Sequence, residues 1–320
     1  MTRTANEPDY LLHDLKKYVD YFFERKGFTV ETTLGGSSDH ALRAARLARG
    51  ADRGPALIVQ GIMPRSGTVY VGELLRRHPS LYAYAHHLWE FPAVQLTPDV
   101  AQLQQKFVLG YKGNRDKLGD ADFLPLFGAA LIAYLYEPVP QGQRVLAKMP
   151  SAQYLTDFFT MFPYEQLLIL VRDGRDVVHS TLRTWPRLNF IQVCLRWNRS
   201  AQMVLNAAER FSRTRSTGYW LARYEDALHD PETFVRETCR RFELDESAYP
   251  YAEIDSIRVI GSSKLEKENH QGVSWQHLQK PQNFSPTQYW KQWSALRKSL
   301  FKVIAGQSLR DLGYCEDLKW

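Results

Sequence analysis

A chain of 320 residues, 44% apolar and 24% charged, is long enough for one large α/β domain that buries roughly three quarters of its unfolded surface, so neither disulfides nor a structural metal is needed. Three cysteines, Cys194, Cys239 and Cys315, form an odd, widely spaced set with no CxxC pair, which argues against a disulfide framework and for reduced thiols. The net charge of +6, from 41 basic and 35 acidic residues, suits an anionic ligand, yet the basic residues are scattered and form no nucleic-acid footprint.

The opening MTRTANEPDY lacks the apolar core of a signal peptide. No run approaches the ~20 apolar residues of a membrane span. The expected location is therefore the cytoplasm, with neither nucleic acid nor membrane as a partner. Residues 8 to 27 carry apolar positions at near-helical spacing (Leu11, Leu12, Leu15, Tyr18, Phe22, Phe23) and end at Gly27, a helix stop. A Gly-, Ser- and Arg-rich stretch follows to Gly54. Residues 1–54 read as an N-terminal helical extension, also available for a partner or homodimer contact, and residues 55–320 as the main domain.

From Pro55 the pattern changes. Ala56 to Val59 is short, apolar and β-branched, as expected of a strand buried on both faces. Similar runs are Val145 to Ala147, Leu167 to Val171 and Trp220 to Ala222. Helical stretches are expected over 121–136, 152–161, 174–184, 190–211, 231–242 and about 287–310. Strands alternating with helices predict an α/β fold, a single domain with a central parallel β-sheet flanked by helices.

The first strand enters Gly61-Ile62-Met63-Pro64-Arg65-Ser66-Gly67-Thr68 and then a helical segment through Leu75. A strand, a tight loop and a helix N-terminus make an anion site, because free backbone N–H groups and the helix dipole face the ligand. Thr68 is placed to cap the helix, Gly67 to let the backbone approach, and Arg65 to supply charge. The nucleotide triphosphatase pattern G-x-x-x-x-G-K-[ST] is only half met. Ser66 stands at the second Gly and Gly67 at the Lys that reaches the terminal phosphates.

Pro64-Arg65-Ser66-Gly67-Thr68, followed by Leu74-Leu75 and His78-Pro79, resembles the 5′-phosphosulfate loop of the sulfotransferases that use 3′-phosphoadenosine 5′-phosphosulfate (PAPS). The resemblance runs from about residue 55 to the end, includes features of bacterial members, and implies a P-loop NTPase-like sulfotransferase fold. It places Arg65, Ser66, Gly67, Thr68 and Val69 around the donor's 5′-phosphate and Tyr70 on its adenine. Val69 departs from a Thr often found there.

In Leu168 to Ser180 a buried strand runs into a helix. Arg172 at the strand end and Ser180 about two turns along the helix can converge on one anion, the Arg as a bidentate fork. The competing reading is a solvated helix start in which Asp173, Arg175 and Asp176 make surface pairs. In the family an Arg and a Ser so spaced bind the 3′-phosphate. Arg223-Tyr224-Glu225-Asp226 resembles the family's R-Y-E-D segment, in which Tyr224 falls partly on the adenine side and is partly structural.

Sulfonate transfer requires an aligned acceptor oxygen, a base for its proton, and charge neutralisation on the leaving phosphate. Arg65 is the first candidate for the leaving-group cation, and Lys148 in Ala147-Lys148-Met149-Pro150 the second, as its K-x-P resembles that of relatives. Relatives place a Glu or His base shortly after the H-P. Here the candidates rank His87, His86, then Glu90. The adjacent pair His86-His87 lacks metal-ligand spacing, so no metal is expected.

The implied acceptor is a small metabolite or natural product bearing a hydroxyl, and the implied product adenosine 3′,5′-bisphosphate. The acceptor walls are expected in the aromatic-rich 81–95 region, parts of 100–127 and the polar 263–286 loop, whose His270 and His277 read better as solvated loop residues than as donor or acceptor contacts. Two alternatives stay open. One is a P-loop nucleotide kinase or hydrolase, against which the missing Lys speaks. The other is a non-catalytic nucleotide-binding protein.

Overall fold

The computed structural model describes residues 34–83, 88–260, 278–279 and 285–320. The helical segment expected at 8–27 lies outside them, as do His86, His87, His270 and His277. Residues Gly35–Trp320 form one compact unit.

Among the described residues five strands make one all-parallel sheet in the order β2-β3-β1-β4-β5. They are β1 (Leu57–Gly61), β2 (Leu81–Ala83), β3 (Arg144–Met149), β4 (Gln166–Val171) and β5 (Tyr219–Arg223). The central strands are apolar at nearly every position because both faces are covered. On one face Leu57, Val59, Leu146, Leu168, Leu170 and Ala222 pack under Val71, Leu74 and Leu75 of α2 (Thr68–Leu75) and under Phe234, Val235 and Phe242 of α9 (Pro231–Phe242). The alternate positions Ile58, Val145, Leu167 and Ile169 are also buried, so the opposite face is covered too.

Between these lie α1 (Asp39–Ala48), α3 (Thr97–Gly110), α4 (Phe123–Tyr136), the single turn α5 (Phe158–Met161), α6 (Gly174–Thr184), α7 (Phe190–Thr214) and α8 (Tyr224–His229), and the last helix is α10 (Ala295–Asp311). The expected helix at 152–161 is reduced to α5 and a preceding 3-10 turn, because Tyr154 adopts a left-handed φ of 57°. The last helix begins at Ala295, capped by Ser294, with a separate 3-10 turn at Tyr289–Gln292. Trp197 and Trp293 are buried core residues.

Residues 35–54 are continuous with the compact unit. Asp122 at the start of α4 accepts hydrogen bonds from Ser38 N (2.6 Å) and Ser38 Oγ (2.9 Å). At the far end of α1, Arg49 forks onto Glu165 just before β4 (2.6 and 3.2 Å), and Glu165 also accepts from Ala56 N just before β1. The pair is buried, a geometry in which each charge is tolerated only because the other is present.

Candidate active site

Ligands of parallel α/β sheets bind beyond the carboxyl ends of the strands. Here four such ends converge. β1 leads to Arg65, β3 carries Lys148, β4 leads to Arg172, and β5 leads to Tyr224. The register sets Gly61 beside Leu170, Gln60 beside Met149 and Val171 beside Arg223, so the candidate residues are neighbours across the sheet.

The loop after β1 is conformationally unusual. Arg65 has φ 77° and Gly67 φ 94°, two left-handed residues flanking Ser66. Such an arrangement turns backbone N–H groups toward a common concavity. For Arg65 the left-handed region costs roughly 1–2 kcal/mol. It is held there from two sides: its carbonyl accepts from Arg172 Nη1 at 2.7 Å, and its own Nε donates to Ser180 Oγ at 3.1 Å. The segments proposed to hold the two phosphates are therefore bonded directly to each other.

Gly67 is required twice over, by its φ and by proximity: a Cβ here would stand 2.1 Å from the Tyr224 ring. Gly67, and not Thr68, is the N-cap of α2, and no side chain caps this helix. The expectation that Thr68 caps is thereby corrected. Thr68 is the first helical residue and is buried, with Ser66 Oγ and its own methyl packed over Gly61. The first N–H groups of α2 are consequently left to a ligand or solvent.

Tyr224 is only 6% exposed, wedged between Gly67 and the Arg172 guanidinium, whose Cζ lies 4.6 Å from the ring centroid. It acts as a floor under the loop. Tyr70 meets it edge-on at 6.1 Å and donates its hydroxyl to Ala227 O at 3.3 Å. Burial, with Tyr224 and Asp255 nearby, pushes the Tyr70 phenol up to about 12. Tyr70 is thus half-buried on the core, and Val69 beside it is half-buried as well.

The start of α6 is not a solvated surface. Asp173, Arg175 and Asp176 are all buried, which replaces the reading of surface pairs. Asp173 caps α6 through Arg175 N and also holds the Arg175 guanidinium, with Nη2 at 2.7 Å. Glu225 accepts from Asp173 N at 3.0 Å and from the Tyr314 hydroxyl at 3.1 Å, and Arg223 donates to Leu312 O and Gly313 O. The R-Y-E run thus clamps the C-terminus to the end of β4. Burial and the Glu225 carboxylate raise the Tyr314 phenol well above its ordinary value, and burial raises Glu225 above 4.5 despite the N–H of Asp173 and the charge of Arg172.

Lys148 is mostly buried, its side chain 15% exposed, and its Nζ lies 3.7 Å from Glu90 Oε1 and 4.9 Å from the centre of the Trp89 ring. The Phe91 N–H donates to Lys148 O at 2.8 Å and ties this segment to β3. Burial lowers the Lys148 pKa below 10.5, with Glu90 opposing. Trp89 and Asp176 are the contributors that sequence reasoning passes over. Trp89 is given no role by the sequence and Asp176 reads there as a surface-pair residue, and proximity to Lys148 and to the C-terminal segment reveals them.

Three polar atoms here, Ser66 Oγ, Lys148 Nζ and Arg172 Nε, are buried with no hydrogen-bond partner among the described residues. Each such atom costs roughly 1–3 kcal/mol. Three of them around one uncapped helix end make the arrangement fit an anionic ligand.

Parallel strand ends, a left-handed loop and converging arginines define an α/β protein whose strand ends carry a cluster of cationic side chains. The chain belongs to the sulfotransferase family, whose model matches residues 55–248. It is 23% identical to a protein-tyrosine sulfotransferase of Drosophila melanogaster over 252 residues, 73% of this chain and 46% of that protein. It is also 23% identical over 278 residues to protein-tyrosine sulfotransferase 1 of Danio rerio, 81% of this chain and 72% of that one. The chain spans about half the length of some curated relatives it matches, 46% for the fly protein and 60% for one from Caenorhabditis elegans. The sulfotransferase domain of the Synechococcus PCC 7002 olefin synthase shares its fold, with TM-score 0.52 and 18% identity over 82% of this chain and 96% of that one. No helix among the described residues is long and apolar enough to cross a membrane.

Proposed function

We propose that this sulfotransferase takes its sulfonate from PAPS and passes it to a hydroxyl, releasing adenosine 3′,5′-bisphosphate. The observation that carries this reading is the cluster of partnerless buried donors, Ser66 Oγ and Arg172 Nε, on the two segments that Arg65 and Ser180 bond together. The uncapped N-terminus of α2 with Ser66, Gly67 and Thr68 holds the 5′-phosphate. Arg172 and Ser180 hold the 3′-phosphate, and that second anchor separates this donor from ADP or ATP.

The chemistry is one displacement at sulfur. The acceptor oxygen forms the new S–O bond as the S–O bond to the leaving phosphate breaks, and that phosphate departs with the electron pair. Arg65, seconded by Lys148, neutralises its charge. Of the three candidate bases, Glu90 is the one the structure describes, and it stands beside Lys148. Glu90 is placed beside Lys148 to take the acceptor proton. His86 and His87 remain alternatives tested by the same substitutions.

The acceptor is a hydroxyl on a small metabolite or natural product. A second reading, the phenol of a peptidyl tyrosine, is favoured by the names of the relatives above. The test is release of adenosine 3′,5′-bisphosphate from PAPS with panels of alcohols, phenols and tyrosine peptides. Glu90→Gln is expected to lose at least about 100-fold in kcat. Full activity in Glu90→Gln with loss in His87→Gln or His86→Gln would move the base.

A further inference from the structure

Three consecutive residues before α10 are gripped by one face of α6. The Asp176 carboxylate accepts the backbone N–H of Gln288 at 2.7 Å and of Tyr289 at 2.9 Å. The Tyr289 ring stacks on His179 at 5.4 Å and 20°. The Trp290 ring lies 3.8 Å from Arg175 Cζ. Gln288 has φ 66°, a left-handed conformation that a non-glycine residue keeps only when neighbours hold it.

Two residues upstream, the Pro286 carbonyl accepts from Arg172 Nη2 at 2.6 Å. Arg172 Nη1 is bonded to the Arg65 carbonyl and its face lies on Tyr224. The guanidinium is therefore fixed by a carbonyl on each terminal nitrogen, and Nε is the donor without a partner.

We propose that Asp176 is a positioning residue for the donor: by holding the Pro286–Tyr289 segment it sets the Pro286 carbonyl that fixes Arg172, with Nε kept for the nucleotide's 3′-phosphate. The proposal rests on the donor-site reading above. A carboxylate suits this task because it accepts two adjacent backbone N–H groups at once, and its anchor depends on no side chain of the segment.

The proposal has a pH signature. Burial and the nearby Asp173 push Asp176 up to about 7, Glu225 adding to this and the N–H of Gln288 and the charge of Arg172 opposing. Arg175 and His179 share its helix. Below that pH the carboxyl carries a proton, one oxygen turns from acceptor to donor, and the grip on two N–H groups is halved. Above it the grip is whole. Burial, with Arg183, Arg297 and Arg172, keeps His179 below 6.5, beneath this window. The ligand's own phosphate ionises near pH 6, but that contribution is shared by every variant.

The experiment is calorimetric titration of the full chain with adenosine 3′,5′-bisphosphate at pH 6.5 and 8.5, for wild type, Asp176→Asn and Arg172→Ala. Asp176→Asn, which keeps the shape but only one acceptor, is expected to bind about tenfold more weakly at pH 8.5. It should also lose the extra gain in affinity that wild type shows from pH 6.5 to 8.5. Unchanged affinity and pH dependence in Asp176→Asn, with binding abolished in Arg172→Ala, would overturn the positioning role and leave the donor site standing. Unchanged affinity in Arg172→Ala would instead remove the donor-site reading. Should Asp176→Asn fail to fold, Asp176→Ser keeps one small acceptor at the same place on α6. It is expected to weaken binding several-fold, and full affinity there would overturn the proposal.

Discussion

Replacing Gly67 with alanine tests the phosphate loop and its floor together. The residue sits at φ 94°, where an alanine pays roughly 1–2 kcal/mol. Its methyl would also stand 2.1 Å from one Tyr224 ring carbon and 2.4 Å from the next. The ring has no easy retreat, since Arg172 lies on it at 4.6 Å and Tyr70 meets its edge. Overpacking of this kind costs about 1–3 kcal/mol. The sum is roughly 2–5 kcal/mol, and at about 2 °C per kcal/mol for a unit of this size the melting temperature should fall by roughly 4–10 °C. Bisphosphate binding should fall in parallel, because the methyl pushes apart the loop and the ring under Arg172. Melting curves with and without ligand read both effects. A Gly67→Ala protein that melts within 1 °C of wild type and binds normally would refute both the loop conformation and the role of Tyr224.

Lys148→Met should lose at least about 100-fold in turnover while melting close to wild type, because relief of the buried ammonium is offset by the ion pair that Glu90 loses. The lowered pKa of Lys148 also gives a sign. Between its folded pKa and 10.5 the unfolded chain binds the proton more readily, so stability rises with pH there, and in Lys148→Met denaturant titrations should lose that rise. Burial pushes Asp122 up, but hydrogen bonds from Ser38 and Gly119 outweigh it and hold the carboxyl below 3.8. The stability it contributes is full above the ordinary pKa and is lost as pH falls through the folded one. Asp122→Asn should therefore flatten the acid limb of the stability curve, and an unchanged limb would count against that bond network.

The elements read most accurately from sequence are those whose boundaries carry their own chemistry. β4 and α6 are legible because an apolar, β-branched run ends at Arg172, Asp173 caps the helix, and Gly174 opens it. α1 is not, since it buries little more than Ala41 and Ala45 and is tied to the start of β4 by distant partners, Arg49 reaching Glu165 and the Tyr164 hydroxyl donating to Leu42 O. α3 buries Thr97, Val100 and Gln104, too polar a face to show a helical period, and β2 is a three-residue edge strand.

The site divides in the same way. Arg65, Gly67, Arg172 and Ser180 lie within local strand–loop–helix patterns, and the structure bonds Arg65 to both Arg172 and Ser180. The neighbours Glu90 and Lys148 come from separate segments that the Phe91–Lys148 backbone bond ties together. The grip of Asp176 on Gln288 and Tyr289 joins residues more than a hundred positions apart, and no local pattern announces it.

The central claim, a site for a nucleotide phosphorylated at both the 3′ and 5′ positions, is tested most directly by thermal melting with adenosine 3′,5′-bisphosphate, ADP and ATP, without magnesium. A ligand at 100 times its Kd adds about 2.7 kcal/mol, a shift that a melting curve shows clearly. The account predicts stabilisation by the bisphosphate and little by ADP or ATP at the same concentration. Equal stabilisation by ADP or ATP would contradict it, because Arg172 and Ser180 would then not be reading a 3′-phosphate.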